Sequence, residues 1–243
     1  MLLEICASNY QSALNAQNAG AQRIELCSEL AVGGITPSYG LLKKVMEELT
    51  IPVMVLIRPR SGNFVYTDAE FDIMKRDIQL CKELGCAGIV SGILKVDFTV
   101  DLESTKVLIE LAKPMSFTFH RAYDHVSNTF EAIDQLIEIG VDRILSSGSS
   151  KNAVLGIDNL TEDQEIAGNK LIIMPGGGIN ADNCIAFYQM GFKEIHASAT
   201  EIIEQTTRTL VPMNSLKFIQ ENIEVISDTN QIKAILKNSH HEV

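Results

Sequence analysis

Two short patterns in this 243-residue chain set an acid beside a thiol: Glu4-Ile5-Cys6 and Glu25-Leu26-Cys27. Thiolates bind soft ions such as Cu(I), and on an extended segment residues two apart share a face. Free cysteine is also among the most buried small side chains, so an apolar packing role stays open. His120-Arg121-Ala122-Tyr123-Asp124 offers an imidazole as general acid or base, with Asp124 placed to orient it. Glu4, Glu25 and His196 are further candidates for moving protons. Arg58-Pro59-Arg60 aims two guanidinium forks the same way, either at a carboxylate or phosphate ligand or at Glu25 or Glu4. Pro175-Gly176-Gly177-Gly178-Ile179-Asn180 exposes backbone N–H groups ahead of a helix. Gly176, Gly177 and Gly178, with Ser198, therefore read as an anion-binding rim.

The elements that must position these groups follow a regular rhythm. Eight short apolar, largely β-branched runs alternate with amphipathic helical patterns: 2–6, 23–27, 53–58, 88–93, 116–120, 143–146, 171–174 and 194–198. Ser8 with Gln11 and Thr67 with Glu70 fit capping boxes, Asn128 with Glu131 is a weaker version, and Thr36-Pro37 fits an N-cap followed by proline at N1. Gly20, Gly85, Gly140 and Gly191 each end a helical run. Three of them open one repeated unit: Gly20-Ala-Gln-Arg-Ile-Glu, Gly140-Val-Asp-Arg-Ile-Leu and Gly191-Phe-Lys-Glu-Ile-His. The fold class expected is α/β, a (βα)8 TIM barrel. An open doubly wound sheet is the alternative, and no Gly-x-Gly-x-x-Gly follows the first strand to support its dinucleotide form.

Residues 1–243 read as a single domain, with about residues 200–243 as a C-terminal closing segment. Within that segment Thr206–Met213 reads as a loop and Asp228–Lys237 as a short helix capped by Asp228, while His240-His241 reads as a disordered tail. Alternation along the strands sends Leu3, Ile5, Ile24 and Leu26 outward to the helices. It sends Glu4, Cys6, Arg23, Glu25, Cys27, Ser116, Thr118, His120, Glu194, His196 and Ser198 inward. Charges in a barrel lumen need partners, because desolvation costs several kcal/mol each; such an interior marks a site or a structural ion network.

Composition narrows the partners. With 46% hydrophobic residues the chain is too apolar for disorder, and no stretch is long enough for a membrane span. A net charge of −11 argues against nucleic acid. Met1-Leu2-Leu3-Glu4-Ile5 lacks a basic n-region, and five cysteines (6, 27, 81, 86 and 184) form an odd, sparse set, so a cytoplasmic location with free thiols is expected. The outer helices are compatible with a homo-oligomer. Taken alone, the residues favour an isomerase-, lyase- or hydrolase-like enzyme acting on a small anionic or phosphorylated metabolite at the barrel mouth, with no organic cofactor.

The chain also resembles the CutC copper-homeostasis family. The motifs carrying the resemblance are Leu3-Glu4-Ile5-Cys6, residues 20–27 (GAQRIELC), residues 33–38 (GGITPS), Ile57-Arg58-Pro59-Arg60, Thr118-Phe119-His120-Arg121-Ala122, Ser147-Gly148, residues 174–179 (MPGGGI) and Glu194-Ile195-His196. They run in order from residue 2 to about residue 200. The resemblance implies a (βα)8 barrel in the cytoplasm with a role in copper tolerance, and it matches Cys6 and Cys27 to cysteines proposed to bind Cu(I). Where members often carry His-Cys-Ser-Ala, this chain reads His196-Ala197-Ser198-Ala199, the lost thiol facing outward by parity.

Overall fold

The computed structural model describes residues 1–204, 211 and 223–239. Its eight parallel strands are β1 (Leu2–Ala7), β2 (Arg23–Leu26), β3 (Val53–Leu56), β4 (Gly88–Ser91), β5 (Ser116–Phe119), β6 (Arg143–Ser146), β7 (Ile172–Pro175) and β8 (Glu194–Ala197). Each pairs with its predecessor through β7, and β8 pairs with β1. A parallel bridge between Gly176 and His196 closes the ring. Seven helices follow the first seven strands: α1 (Tyr10–Ala19), α2 (Tyr39–Glu48), α3 (Asp68–Glu83), α4 (Leu102–Ala112), α5 (Thr129–Glu138), α6 (Ile157–Ala167) and α7 (Cys184–Gln189). The fold is the expected (βα)8 barrel.

After β8 the rhythm breaks. An antiparallel pair, β9 (Thr200–Glu204) with β10 (Ile223–Ser227), precedes the eighth helix, α8 (Thr229–Ser239). Side chains of α1 hold β10 in place: Asn15 donates to the Ser227 carbonyl and Ser12 accepts from the Ser227 N–H. Helix α8 then packs against α1 and α7, filling the last gap in the outer ring. Asp228 caps it, accepting from the Gln231 N–H at 2.8 Å. His240-His241 and most of the expected 206–213 loop lie outside the described residues.

Local signals explain most boundaries. Thr67 and Glu70 form the reciprocal capping box of α3, and Asn128 caps α5. Two caps differ from expectation. Strand β1 continues to Ala7, so Asn9 rather than Ser8 caps α1. The Thr36 hydroxyl accepts from the Arg58 N–H at 2.9 Å; being engaged there, it leaves the capping of α2 to Ser38. Gly20, Gly85, Gly140 and Gly191 all adopt positive φ at helix ends, which a Cβ would penalise.

The alternation of faces holds. Leu3, Ile5, Ile24 and Leu26 join the main core under the helices. Cys6, Cys27, Met54, Leu56 and Val90 form a second, smaller cluster inside the barrel.

Candidate functional site

The lumen has two levels. At the lower one, Arg23 reaches Glu4 and Glu194, and Arg143 donates to Glu194 at 3.1 Å. All four side chains lie in the interior with little exposure. This is the structural ion network that inward-facing charges required. Glu4 therefore does not line the mouth. It is fully buried beneath it, and its second oxygen accepts from His196 Nδ1 at 2.8 Å. Burial alone would raise the Glu4 carboxyl, but the His196 hydrogen bond and the Arg23 charge outweigh it and hold the carboxyl at about 2. His196 moves the other way. Burial disfavours its cation, yet contacts with Cys6 and Glu4 and the Glu25 charge keep it well above 6.5.

Above this level a cavity of about 400 Å³ opens at the C-terminal ends of the strands. Cys6, Glu25, Arg58, His120, Gly177, Gly178, His196 and Ser198 all line it. Barrel stagger sets Cys6 beside Glu25 rather than beside Cys27 in the β1–β2 register. The two sulfurs are nevertheless 3.6 Å apart. Cys27, two residues past Glu25 toward the C-terminal end, is fully buried against the loop after β2. A Cβ on Gly34 would come within 2.7 Å of Leu56 and 3.6 Å of the Cys27 sulfur, so only glycine lets this loop settle so closely. Contact with Cys27, then burial, raises the Cys6 thiol well above its ordinary range. Burial likewise lifts the Glu25 carboxyl to about 7, reinforced by Glu4 and opposed by His196.

Several expected partnerships are corrected. Arg58 pairs with no carboxylate among the described residues. Its guanidinium donates to the carbonyls of Val32, Gly34 and Gly62, clipping the loops after β2 and β3 together. Arg60 points elsewhere, to Glu70 at the start of α3, and is absent from the cavity wall. Pro59 between them does not preserve strand alternation, because β3 has already ended at Leu56. Asp124 does not orient His120. It accepts from Ser146 Oγ, the Ser147 and Ser149 N–H groups and Arg121, organising the loop after β6. Gly176 is a packing residue against Leu145 and His196 and does not line the cavity. The glycine loop also does not open a helix directly: residues 179–183 separate it from α7, so no helix dipole acts on it.

His120 is held by features that its own motif does not reveal. Its Nδ1 accepts from the Ala122 N–H at 3.2 Å. Its ring sits 4.9 Å from Phe64, which also underlies the Arg58 guanidinium. A Cβ on Gly92 would lie 2.6 Å from Nδ1, so a bare backbone on β4's far end makes room for the ring. Burial, aided by the Arg58 charge, depresses its pKa to about 3 and leaves the imidazole neutral. Three buried atoms of cavity-lining residues have no hydrogen-bond partner among the described residues: Glu25 Oε2, which lies 3.9 Å from His196 Nδ1, Arg58 Nε and His120 Nε2. Arg121, Phe64 and Gly92 were not legible as site residues. Arg121 had a signal in the neighbouring Ser147-Gly148 motif, since Ser147 Oγ holds its guanidinium.

A parallel barrel whose polar groups converge at the C-terminal rim defines a (βα)8-barrel protein, with its candidate site at that rim. The CutC family profile matches residues 1–201. A CutC family protein from Photorhabdus laumondii is 44% identical over 204 residues, which span 84% of this chain and 82% of that one. A crystal structure of a CutC protein from Streptococcus agalactiae, provisionally named for copper homeostasis, superposes with a TM-score of 0.77 at 39% identity. It covers 82% of this chain and 98% of that one. The protein is a member of the CutC family. A likeness to QR15, an aldolase, with a TM-score of 0.61 at 13% identity over 80% of this chain and 89% of that one, reflects the shared fold alone.

Proposed function

We propose that this protein acts in copper homeostasis and carries Cu(I) on Cys6 and Cys27. The observation that carries the reading is the 3.6 Å separation of the two sulfurs. Two metal–thiolate bonds of ~2.3 Å span it without moving the backbone. Glu25 offers a third ligand atom in the same cluster. His196 and Glu4 stand behind it as the groups that tune the thiols. The name given to the Streptococcus agalactiae relative points the same way. Five free thiols suit the reducing cytoplasm, and no helix among the described residues is long and apolar enough to cross a membrane. The test is titration of Cu(I) into reduced protein against a competing chelator. One ion should bind the wild type, and the Cys6→Ser/Cys27→Ser variant should lose it; unchanged affinity in the variant ends the proposal.

A second reading, an enzyme of the mouth acting on a small anionic metabolite, draws support from the three unpartnered buried atoms. A Cu(I) site on the thiols leaves Arg58 Nε and His120 Nε2 without a role. Leaving buried polar atoms unpaired costs ~1–3 kcal/mol each, and a ligand recovers that. Small anions should raise the melting temperature by binding the folded state. If none does so at millimolar concentration, this reading fails.

A further inference from the structure

The wall of the cavity carries polar groups from several loops. On one side Gly178 follows β7 and Ser198 follows β8, on loops brought together by the Gly176–His196 bridge. Neither the Gly178 nor the Ser198 N–H donates to any described residue. Arg121 lies against the same loop: its Nη1 is 3.5 Å from the point where a Gly177 Cβ would stand. The guanidinium is fixed by Nε on Asp124 and Nη2 on Ser147, which leaves that third nitrogen toward the glycines. On the other side is His120, 5% exposed. Because its Nδ1 accepts from Ala122, the proton of the neutral ring resides on Nε2, the buried atom without a partner. Glu25 Oε2, in the same cavity, lies 3.9 Å from His196 Nδ1. A free ring N–H facing a ligand cavity suits a hydroxyl oxygen.

We propose that the mouth binds a phosphomonoester of a small hydroxy compound. Its phosphate rests on the Gly178 and Ser198 N–H groups and on Arg121, and its hydroxyl accepts from His120 Nε2. This rests on the reading of the mouth as a small-anion site and narrows it to one chemistry. Backbone N–H groups on adjacent loops suit the several oxygens of a phosphate, and a guanidinium completes the set. A cavity of about 400 Å³ accommodates a compound of this size. The thiols are not needed for the contact.

Calorimetry on the whole, metal-free protein tests it with four probes: inorganic phosphate, glycerol 3-phosphate, glycerol and malate. Glycerol 3-phosphate should bind best, phosphate more weakly, and glycerol not at all. Arg121→Met should weaken both phosphate probes by about tenfold, the effect of losing one charged contact. His120→Phe should lower glycerol 3-phosphate to the level of phosphate while leaving phosphate itself unchanged, a split that general destabilisation does not produce. His120→Asn serves as a second variant should the first not fold. Malate binding as tightly as glycerol 3-phosphate overturns the phosphate assignment but leaves a small-anion site. Failure of all three anions to bind the wild type overturns both.

Discussion

The two levels of the lumen are built from the same residue types and reach opposite outcomes. Below, Glu4, Arg23, Arg143 and Glu194 form a chain in which each charge faces an opposite one. Above, Glu25, Arg58 and His120 are as buried, yet each keeps one polar atom without a partner. Burial of charge alone therefore does not mark a site. Unpaired atoms gathered around one cavity are the sharper sign, since single gaps also occur elsewhere, as at Thr105 on α4.

The sharpest way to break the comparison is at the lower level. Arg23→Met should destabilise the protein by about 3–5 kcal/mol, since it takes the shared cation from two buried carboxylates and leaves Glu4 only His196 and Glu194 only Arg143. Urea unfolding measures it, and a loss below 1 kcal/mol would mean that the network does not hold the barrel.

The next effect belongs to Glu25 and appears as pH dependence. Its carboxyl titrates at about 7 when folded, against 4.5 ordinarily. The folded state thus keeps a proton that the unfolded chain releases in that window. Stability from this group is full below pH 4.5 and falls as pH rises toward 7, by at most roughly 3 kcal/mol. Glu25→Gln should remove that fall. Parallel unfolding midpoints for variant and wild type between pH 4.5 and 8 would count against the burial of this charge.

A smaller effect tests how the mouth positions its imidazole. Gly92→Ala places a methyl against the His120 ring and should cost ~1–3 kcal/mol, as overpacking does. The His120 imidazole resonances should shift, and unshifted resonances would show that the ring has room. The smallest effect is expected at Arg60, which serves α3 and not the cavity. Arg60→Gln should leave Cu(I) and glycerol 3-phosphate affinity unchanged; a tenfold loss of either would restore Arg60 to the rim.

Much of this was readable from the linear chain. Period-two alternation assigned Glu4, Cys6, Glu25 and Cys27 to the lumen, since pleating leaves a strand residue only two faces. The repeated glycine-to-isoleucine junctions marked where helices give way to strands, because left-handed helix ends favour glycine. The linear pattern misleads where groups outside the strands compete for the same atom. Asp124 stood near His120 in the chain but found Arg121 and the loop after β6. Arg58 and Arg60 looked alike, yet the loops around them offered one three carbonyls and the other Glu70.

The alternation of strands with helices and the face each strand residue takes follow from local periodicity, which needs only neighbours in the chain. The height of each group above the barrel floor, and whether it meets a partner or an opening, depended on stagger and on loops from distant segments. Cys6 and Cys27 meet at 3.6 Å although their motifs are out of step between the strands, and Gly92 makes room for His120 from 28 positions away. Those choices are settled only when the ring closes, because steric exclusion and hydrogen-bond competition act between residues that no local pattern connects.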